Sequence, residues 1–337
     1  MVTVISTFAG CGGSSLGYKL AGFKELLAVE WDDNAVKTFK LNFPDVPVYH
    51  GDIAKLTGIE CMKLSGIKPG ELDVFDGSPP CQGFSTAGKR KFDDPRNSLF
   101  KEYARLLKEL QPKVFVMENV TGMVKGCMKQ AYLTIIKTLR ECGYRAKGEV
   151  LNAMYFNVPQ SRERVIIIGI REDLGIEPSH PKPQGKPITP RTAFKECPTG
   201  EIKLLPDWLK QATKFMDAGN YNHVHMEKAF MRVRGKSAGS INTKLLSWNR
   251  CSCTLVKSEI AATGIIHPDC ERYLTIPEMC RISSFPDEFK FAGKRSDAVQ
   301  RIGNSVPPNL MRAVAEHIKK TILNTTDKSL ISLQKAA

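Results

Sequence analysis

Residues 72–76, LDVFD, form a short apolar run that Gly77, Pro79 and Pro80 cut off just before Cys81-Gln82-Gly83-Phe84-Ser85. A run closed this abruptly predicts a buried strand of a parallel sheet followed by a loop. Open α/β sheets place their chemistry just past the carboxyl ends of their strands, which is where Cys81 falls. Pro79 and Pro80 lack a backbone N–H and have a fixed φ, so they aim the thiol at little entropic cost. A free cysteine taken alone is ordinarily a small buried hydrophobe. The rest of the chain decides between the two.

The N-terminal half repeats the same strand-then-loop logic. Residues 2–6 predict a strand running into TFAGCGGSSLGYKLAGF, where Gly10, Gly12 and Gly13 allow a tight turn close to a ligand. Ser14 or Ser15 is expected to cap the helix that follows. LLAVE (residues 26–30) predicts the second strand and ends in Glu30, twenty residues after Gly10. An acidic side chain there suits ribose hydroxyls. Trp31 can stack on a flat base. Gly51-Asp52-Ile53 closes a third strand, with a carboxylate able to accept from an exocyclic amine. The series points to a nucleoside ligand. The spacing Phe8-Ala9-Gly10-Cys11-Gly12-Gly13 lacks the third glycine of the dinucleotide fingerprint and adds an apolar wall at Phe8, which leans toward S-adenosylmethionine.

Further on, Leu99, Phe100, Tyr103, Leu106, Leu107 and Leu110 predict an amphipathic helix, and residues 113–117 a buried strand ending in Glu118-Asn119-Val120. Tyr132, Leu133, Ile135, Ile136 and Leu139 predict another helix. A hairpin is expected between residues 144–151 and 164–170, with Arg162 and Arg164 two apart at a strand mouth and so on one face. Six prolines from Pro178 to Pro198 then break the pattern. Residues 195–257 carry eleven lysines and arginines against five carboxylates, which reads as a second, smaller and more basic domain. Residues 273–289 read as a connector with one short helix. Asn304 or Ser305 is expected to cap a final helix with a stripe of Val306, Leu310, Val314 and Ile318. The tail after Asn324 is expected to fray.

A chain of 337 residues can hold one large core and a smaller lobe, and its net charge of +14 suggests a polyanionic partner. No apolar run approaches a membrane span, and Met1 leads straight into a strand, so a cytosolic protein without signal peptide is expected. Its ten cysteines then read as reduced thiols. Cys251, Cys253, His267 and Cys270 lack zinc-ligand spacing, and no metal is expected.

The ordered series FAGCGG, Glu30-Trp31, Asp52-Ile53, GSPPCQGFS, Glu118-Asn119-Val120, QSRER, LTIPEMCRISSFP and RIGNSVPP resembles the cytosine-5 DNA methyltransferase family in its compact bacterial form. The likeness runs from residue 3 to about 320. It implies an α/β fold: a doubly wound, mostly parallel Rossmann-like sheet that binds S-adenosylmethionine, with a smaller inserted target-recognition domain. The expected division is a catalytic and cofactor domain over 1–188, a recognition domain over 189–270, a connector over 271–302, a returning helix over 303–326 and a frayed tail over 327–337. By resemblance Cys81 is the nucleophile, Glu118 holds ring nitrogen 3 of cytosine, and Arg162 and Arg164 lie at the flipped base. Phe8, Ala9, Gly10, Gly12, Glu30, Trp31, Asp52, Ile53, Asn304, Ser305 and Val306 become cofactor contacts. Gln82, Ser85, Lys89, Arg90 and Arg96 on the loop after Cys81, and Arg232, Arg234, Lys236 and Arg250 in the basic segment, become DNA contacts. One departure is Ile282-Ser283-Ser284-Phe285, where the family usually has glycine before Phe-Pro. That bears on hinge geometry.

Two other functions compete: a transfer-RNA cytosine-5 methyltransferase on the same fold, and a binding module that keeps the cofactor fold without turnover. Gly83-Phe84-Ser85 and the basic insert fit duplex DNA better, and intact Cys81, Glu118, Arg162 and Arg164 argue for turnover. The expected partner is double-stranded DNA, met by a monomer in the cytoplasm at the nucleoid, with a companion restriction endonuclease left open.

Overall fold

Five apolar runs, each too short for a helix, become the centre of a seven-stranded sheet in the computed structural model, which describes residues 1–80, 98–124, 129–236, 243–258 and 264–324. The first strands and helices alternate: β1 (Thr3–Thr7), α1 (Gly13–Leu20), β2 (Lys24–Glu30), α2 (Asp33–Asn42), β3 (Val48–His50), α3 (Gly58–Ser65), β4 (Val74–Gly77), α4 (Ser98–Leu110), β5 (Val114–Val120), α5 (Lys129–Glu141), β6 (Tyr144–Asn152) and β7 (Glu163–Arg171). The sheet order is β3-β2-β1-β4-β5-β7-β6. Strands β1 to β5 pair in parallel, and β7 runs antiparallel to β5. This is the doubly wound, mostly parallel sheet expected. The order turns about between β1 and β4, where Thr7 pairs with Gly77, and the loops after these two strands leave the sheet side by side.

Two compact units make up the chain. The first comprises residues 1–151, 163–182 and 310–337. Its core packs Ile5, Leu27, Phe75, Phe115 and Ile167 of the sheet against Tyr103, Leu107 and Leu110 of α4 and Ile135 and Leu139 of α5. Leu133 does not join the stripe of α5; it is exposed, because at 3.6 residues per turn it stands about 200° round the helix from Ile135. Tyr103 stacks on Phe75 with ring centroids 4.9 Å apart, and its hydroxyl donates to the carbonyls of Phe75 and Val116, each at 3.2 Å. One side chain thereby ties β4 to β5.

The second unit comprises residues 152–162 and 183–309. It holds α6 (Pro190–Ala193), α7 (Asp207–Thr213), α8 (His223–Arg234), a two-stranded parallel sheet of β8 (Lys244–Leu245) and β9 (Ile265–Ile266), then α9 (Ile276–Ile282) and α10 (Arg295–Asn304). Leu205, Leu209, Ala212, Phe230, Leu245, Ile266 and Tyr273 form its core. A capping box between Thr275 and Glu278 starts α9.

Three local expectations are corrected. Ser14 and Ser15 do not cap α1: Gly12, at φ 93, is the N-cap, and both serines lie inside the helix with their hydroxyls on buried carboxylates. Residues 273–289 hold one short helix, α9, as expected, and α10 follows beyond them. Asn304 ends α10 and Ser305 follows as its C-cap, so neither opens the final helix, α11 (Pro308–His317). Val306 is buried but precedes that helix. At the departure from the family pattern, Ser284 adopts φ 61, a conformation glycine takes freely. Its hydroxyl accepts the N–H of Asn309 at 3.1 Å, which offsets part of the strain.

Replacing Tyr103 by Phe keeps the stack on Phe75 and removes both hydrogen bonds from α4 to the strands. Urea denaturation should show a loss of about 1 kcal/mol, with an unchanged dependence on denaturant.

Candidate active site

Apolar residues carry β1 as far as Thr7, and the chain then turns back sharply. Phe8 has φ 55, Gly10 φ 57 and Gly12 φ 93. A side chain at Gly12 would strike the Phe43 ring at 2.4 Å, while one at Gly10 would meet nothing within 4 Å. Glycine at position 10 thus leaves open space facing the loop. Glu30, at the end of β2, holds this turn in place. Its Oε2 accepts the N–H of Gly10 at 2.7 Å, and its Oε1 accepts those of Trp31 and Asp32, each at 2.9 Å. Three of the roughly four lone-pair sites of a carboxylate are then taken, leaving room for about one more donor. Trp31, next in the chain, is 76% exposed. Asp52 caps a short 3-10 turn, its Oδ1 accepting the N–H of Ala54 at 3.0 Å, and Ile53 beside it is buried.

On the other flank of β4 lies the second group of predicted residues. Val120 of β5 pairs with Arg164 of β7, so Glu118, two residues earlier, shares a face with Arg164 on the diagonal. The Arg164 Nε lies 2.8 Å from Glu118 Oε1, with both side chains nearly buried. Such a charge-assisted bond orients the carboxyl and leaves its second oxygen for another partner. Asn119, for which no role was foreseen, donates from Nδ2 to the carbonyl of Pro79 at 3.0 Å and accepts the N–H of Val120 at 2.9 Å. It fixes the backbone two residues before Cys81. The signal for it was present in Glu118-Asn119-Val120, but only pairing of β4 with β5 reveals the partner.

Beneath α1 lies a buried polar layer that sequence reasoning missed. Asp76 Oδ2 accepts the Ser14 hydroxyl at 2.6 Å and Oδ1 accepts that of Tyr18 at 3.3 Å. Glu25 Oε1 accepts the Ser15 hydroxyl at 2.8 Å. Burial pushes the carboxyls of Asp76 and Glu25 each up to about 7, against the hydrogen bonds that favour their ionised forms.

Arg162 is placed differently from Arg164. β7 begins only at Glu163, and Arg162 belongs to the second unit. There its guanidinium, 3% exposed as a residue, donates to the carbonyls of Gly303 at 3.0 Å and Leu255 at 3.4 Å. A common strand face with Arg164 is therefore not what places it. Gln160 joins the same knot, its Nε2 donating to Ser283 Oγ at 3.1 Å and its Oε1 accepting the N–H of Leu255 at 3.2 Å. Asn304, Ser305 and Val306 also lie in this unit. Of the basic candidates, Arg234 covers the Trp208 ring at 4.6 Å and Arg232 the Phe215 ring at 5.3 Å, while Lys236 and Arg250 are exposed. Cys81, Gln82, Ser85, Lys89, Arg90 and Arg96 lie outside the described residues. Among those described, no group of three or more His, Cys, Asp or Glu side chains is disposed to hold a metal ion. His267 instead bonds Asp269 at 2.8 Å and stacks on Phe194. No described helix is long and apolar enough to cross a membrane.

The strand order, with a glycine loop at the turn-about and a paired carboxylate one strand beyond β4, defines an α/β methyltransferase. Its likeness to a putative DNA modification methyltransferase from an Escherichia coli prophage, at a TM-score of 0.75 and 24% identity over 96% of this chain and all of that one, bears out the fold. A Spodoptera frugiperda DNMT2 mutant shares it at a TM-score of 0.68 and 22% identity, over 95% and 99% of the two chains. The particular family follows from the sequence: residues 2–320 match the C-5 cytosine-specific DNA methylase family, and the chain belongs to it. Relatives include the Type II methyltransferase M1.HphI of Haemophilus parahaemolyticus, 36% identical over 97% of this chain and 88% of the relative. M.Eco47II of Escherichia coli is 35% identical over 97% and 80%. The protein is a DNA (cytosine-5-)-methyltransferase.

Asp76 yields a signed prediction. Its folded-state pKa stands above its unfolded value, so between about pH 4 and 7 the native state binds the extra proton and loses stability as pH rises. Asp76→Asn cannot ionise and escapes that loss. Denaturation at pH 5 and pH 8 should show the variant gaining on the wild type by at least about 1 kcal/mol at the higher pH. An equal difference at both pH values would mean that Asp76 does not titrate in this window.

Proposed function

We propose that the chain transfers a methyl group from S-adenosylmethionine to carbon 5 of a flipped-out cytosine in a specific double-stranded DNA sequence, through a covalent adduct to Cys81. The observation that carries this reading is the Glu118–Arg164 pair at 2.8 Å, one strand over from β4, whose end is tied down by Asn119 on Pro79.

Carbon 5 of cytosine is too weak a nucleophile to be methylated directly. Attack of the Cys81 thiolate on carbon 6 forms a C–S bond and moves the ring electrons toward carbon 5 and nitrogen 3. Proton transfer to nitrogen 3 through the Glu118 carboxyl meets that charge as it develops, and Arg164 holds the carboxyl in position. Bound S-adenosylmethionine supplies the electrophilic methyl group. Removal of the carbon 5 proton, for which water is as good a candidate as any side chain, returns an electron pair that expels the Cys81 thiolate, while nitrogen 3 gives its proton back to the Glu118 carboxyl and the ring is restored. The target base has to leave the duplex stack to reach such a site.

The residues of the first unit suit the cofactor. Open space faces Gly10, Glu30 keeps acceptor capacity toward it, and the exposed Trp31 offers a flat face for a base. Phe8 and Ala9 line the same turn, and Asp52 keeps a second carboxylate oxygen for an amine. We assign word recognition to the basic segment within 189–270, with Lys236 and Arg250 as exposed candidates for phosphate or base edges and Arg232 and Arg234 partly committed to aromatic rings. The same reading makes the enzyme a cytoplasmic monomer at the nucleoid, and the Type II relatives are reason to look for a companion endonuclease.

A transfer-RNA substrate is the alternative, and tritium transfer from labelled S-adenosylmethionine to DNA against RNA decides between them. A duplex carrying 5-fluorocytosine should trap the wild type covalently, since fluorine cannot leave as a proton does, and Cys81→Ser should form no denaturant-resistant adduct. Adducts from both proteins would sink the assignment. Glu30→Ala should weaken cofactor binding by about 1.5 to 3 kcal/mol, since it removes both a ligand acceptor and the anchor of the Gly10 turn. Calorimetry showing unchanged cofactor affinity, with DNA affinity also intact, would reduce Glu30 to a strand-end residue.

A further inference from the structure

We propose that Ser14 and Asp76 are positioning residues that join the glycine loop to the strand leading to Cys81, so that the cofactor side and the nucleophile side of the reaction are ordered together. The proposal rests on the functional reading above.

Asp76 lies five residues before Cys81 and is buried. Its two carboxyl oxygens are bound by Ser14 and Tyr18 of α1, and its backbone carbonyl accepts the hydroxyl of Thr7 of β1 at 3.0 Å. β1 and α1 are the elements on either side of the glycine loop, so a single residue of β4 grips both of its ends. The strand has little freedom to yield. A Cβ at Gly77 would stand 2.4 Å from Thr7 Oγ1 and 2.6 Å from the Tyr103 ring. From the opposite neighbour, Asn119 holds the carbonyl of Pro79. Residues 76–79 are thus fixed from both sides, from the cofactor loop and from the strand that carries Glu118.

The choice of side chain is informative. A hydrophobic residue would cover a sheet face beneath a helix at less cost than a carboxyl group taken out of water. The groups around Asp76 make it no easier: Glu25 of β2 and Glu118 of β5 are carboxylates, and Tyr103 of α4 and Tyr18 are phenols. Burial pushes the Asp76 carboxyl up to about 7, against the hydrogen bonds that Ser14 and Tyr18 donate to it. Stability alone does not call for such a group, whereas a directional link between two catalytic loops does.

Two measurements on the full chain test the link: calorimetry with S-adenosylmethionine in the absence of DNA, and the rate of adduct formation on a 5-fluorocytosine duplex at saturating cofactor. Ser14→Ala and Asp76→Ala should each lower cofactor affinity about tenfold and slow the adduct about tenfold, the scale of a buried hydrogen bond. The double variant should be no worse than Asp76→Ala alone. Asp76→Asn, which still accepts from Ser14, should recover most of both quantities. If the alanine variants melt earlier yet bind cofactor and form adduct like the wild type, the residues are merely structural and the proposal is overturned. Additive losses in the double variant would overturn it too. Should Asp76→Ala not fold, Ser14→Ala, which deletes only a hydroxyl, decides by the same two readouts. A wild type that binds no S-adenosylmethionine would instead defeat the functional reading on which the link rests.

Discussion

Thr7 and Gly77 pair at the one place where the strand order of the sheet turns about, and the site follows from that constraint. Parallel strands all deliver their loops to the same edge, but neighbouring loops normally close over one another through their helices. Where the order reverses, the helices depart in opposite directions and leave a crevice between the two loops. Here those loops are the glycine turn at Phe8–Gly12 and the proline-stiffened segment that leads to Cys81. Glu118 stands on the next strand beyond, so the glycine turn, the segment leading to Cys81 and the Glu118–Arg164 pair lie along neighbouring strands.

Backbone amides do much of the holding. Glu30 uses its carboxylate on the N–H groups of Gly10, Trp31 and Asp32, and Asn119 uses its amide on the Pro79 carbonyl. Bonds of this kind set main-chain position directly, which side-chain packing cannot do for a loop made of glycine and proline. The cost lies in the polar layer beneath α1. Two carboxyl groups are buried there, burial pushing each up to about 7, and one serine of the helix donates to each.

In the second unit, positive charge serves two ends. Arg232, Arg234, Arg191 and Lys203 each lay the cationic head over an aromatic ring, so part of the positive charge serves aromatic contacts. Arg162 is turned wholly inward and ties Leu255 to Gly303, across 93 and 141 residues of chain. A census of charge by residue type counts all of these alike.

The sequence by itself determined the sheet, because short apolar runs closed by glycine and proline admit few alternatives to buried parallel strands. It also marked Glu30, Glu118 and Arg164, each of which stands at or beside a strand end where local pattern already places it. Helix starts were less legible. Ser14, Ser15, Asn304 and Ser305 all have the chemistry of a cap, and whether a serine caps its own helix or bonds a carboxylate 62 residues away depends on which strand lies beneath it. Only the tertiary structure could decide that Asp76 belongs with Ser14, that Asn119 holds Pro79, and that Arg162 bonds the carbonyls of Leu255 and Gly303. The physical reason is the same in each case: a hydrogen bond is directional and short-ranged, so its partner is set by strand register and helix placement, neither of which is encoded in the spacing of residues along the chain.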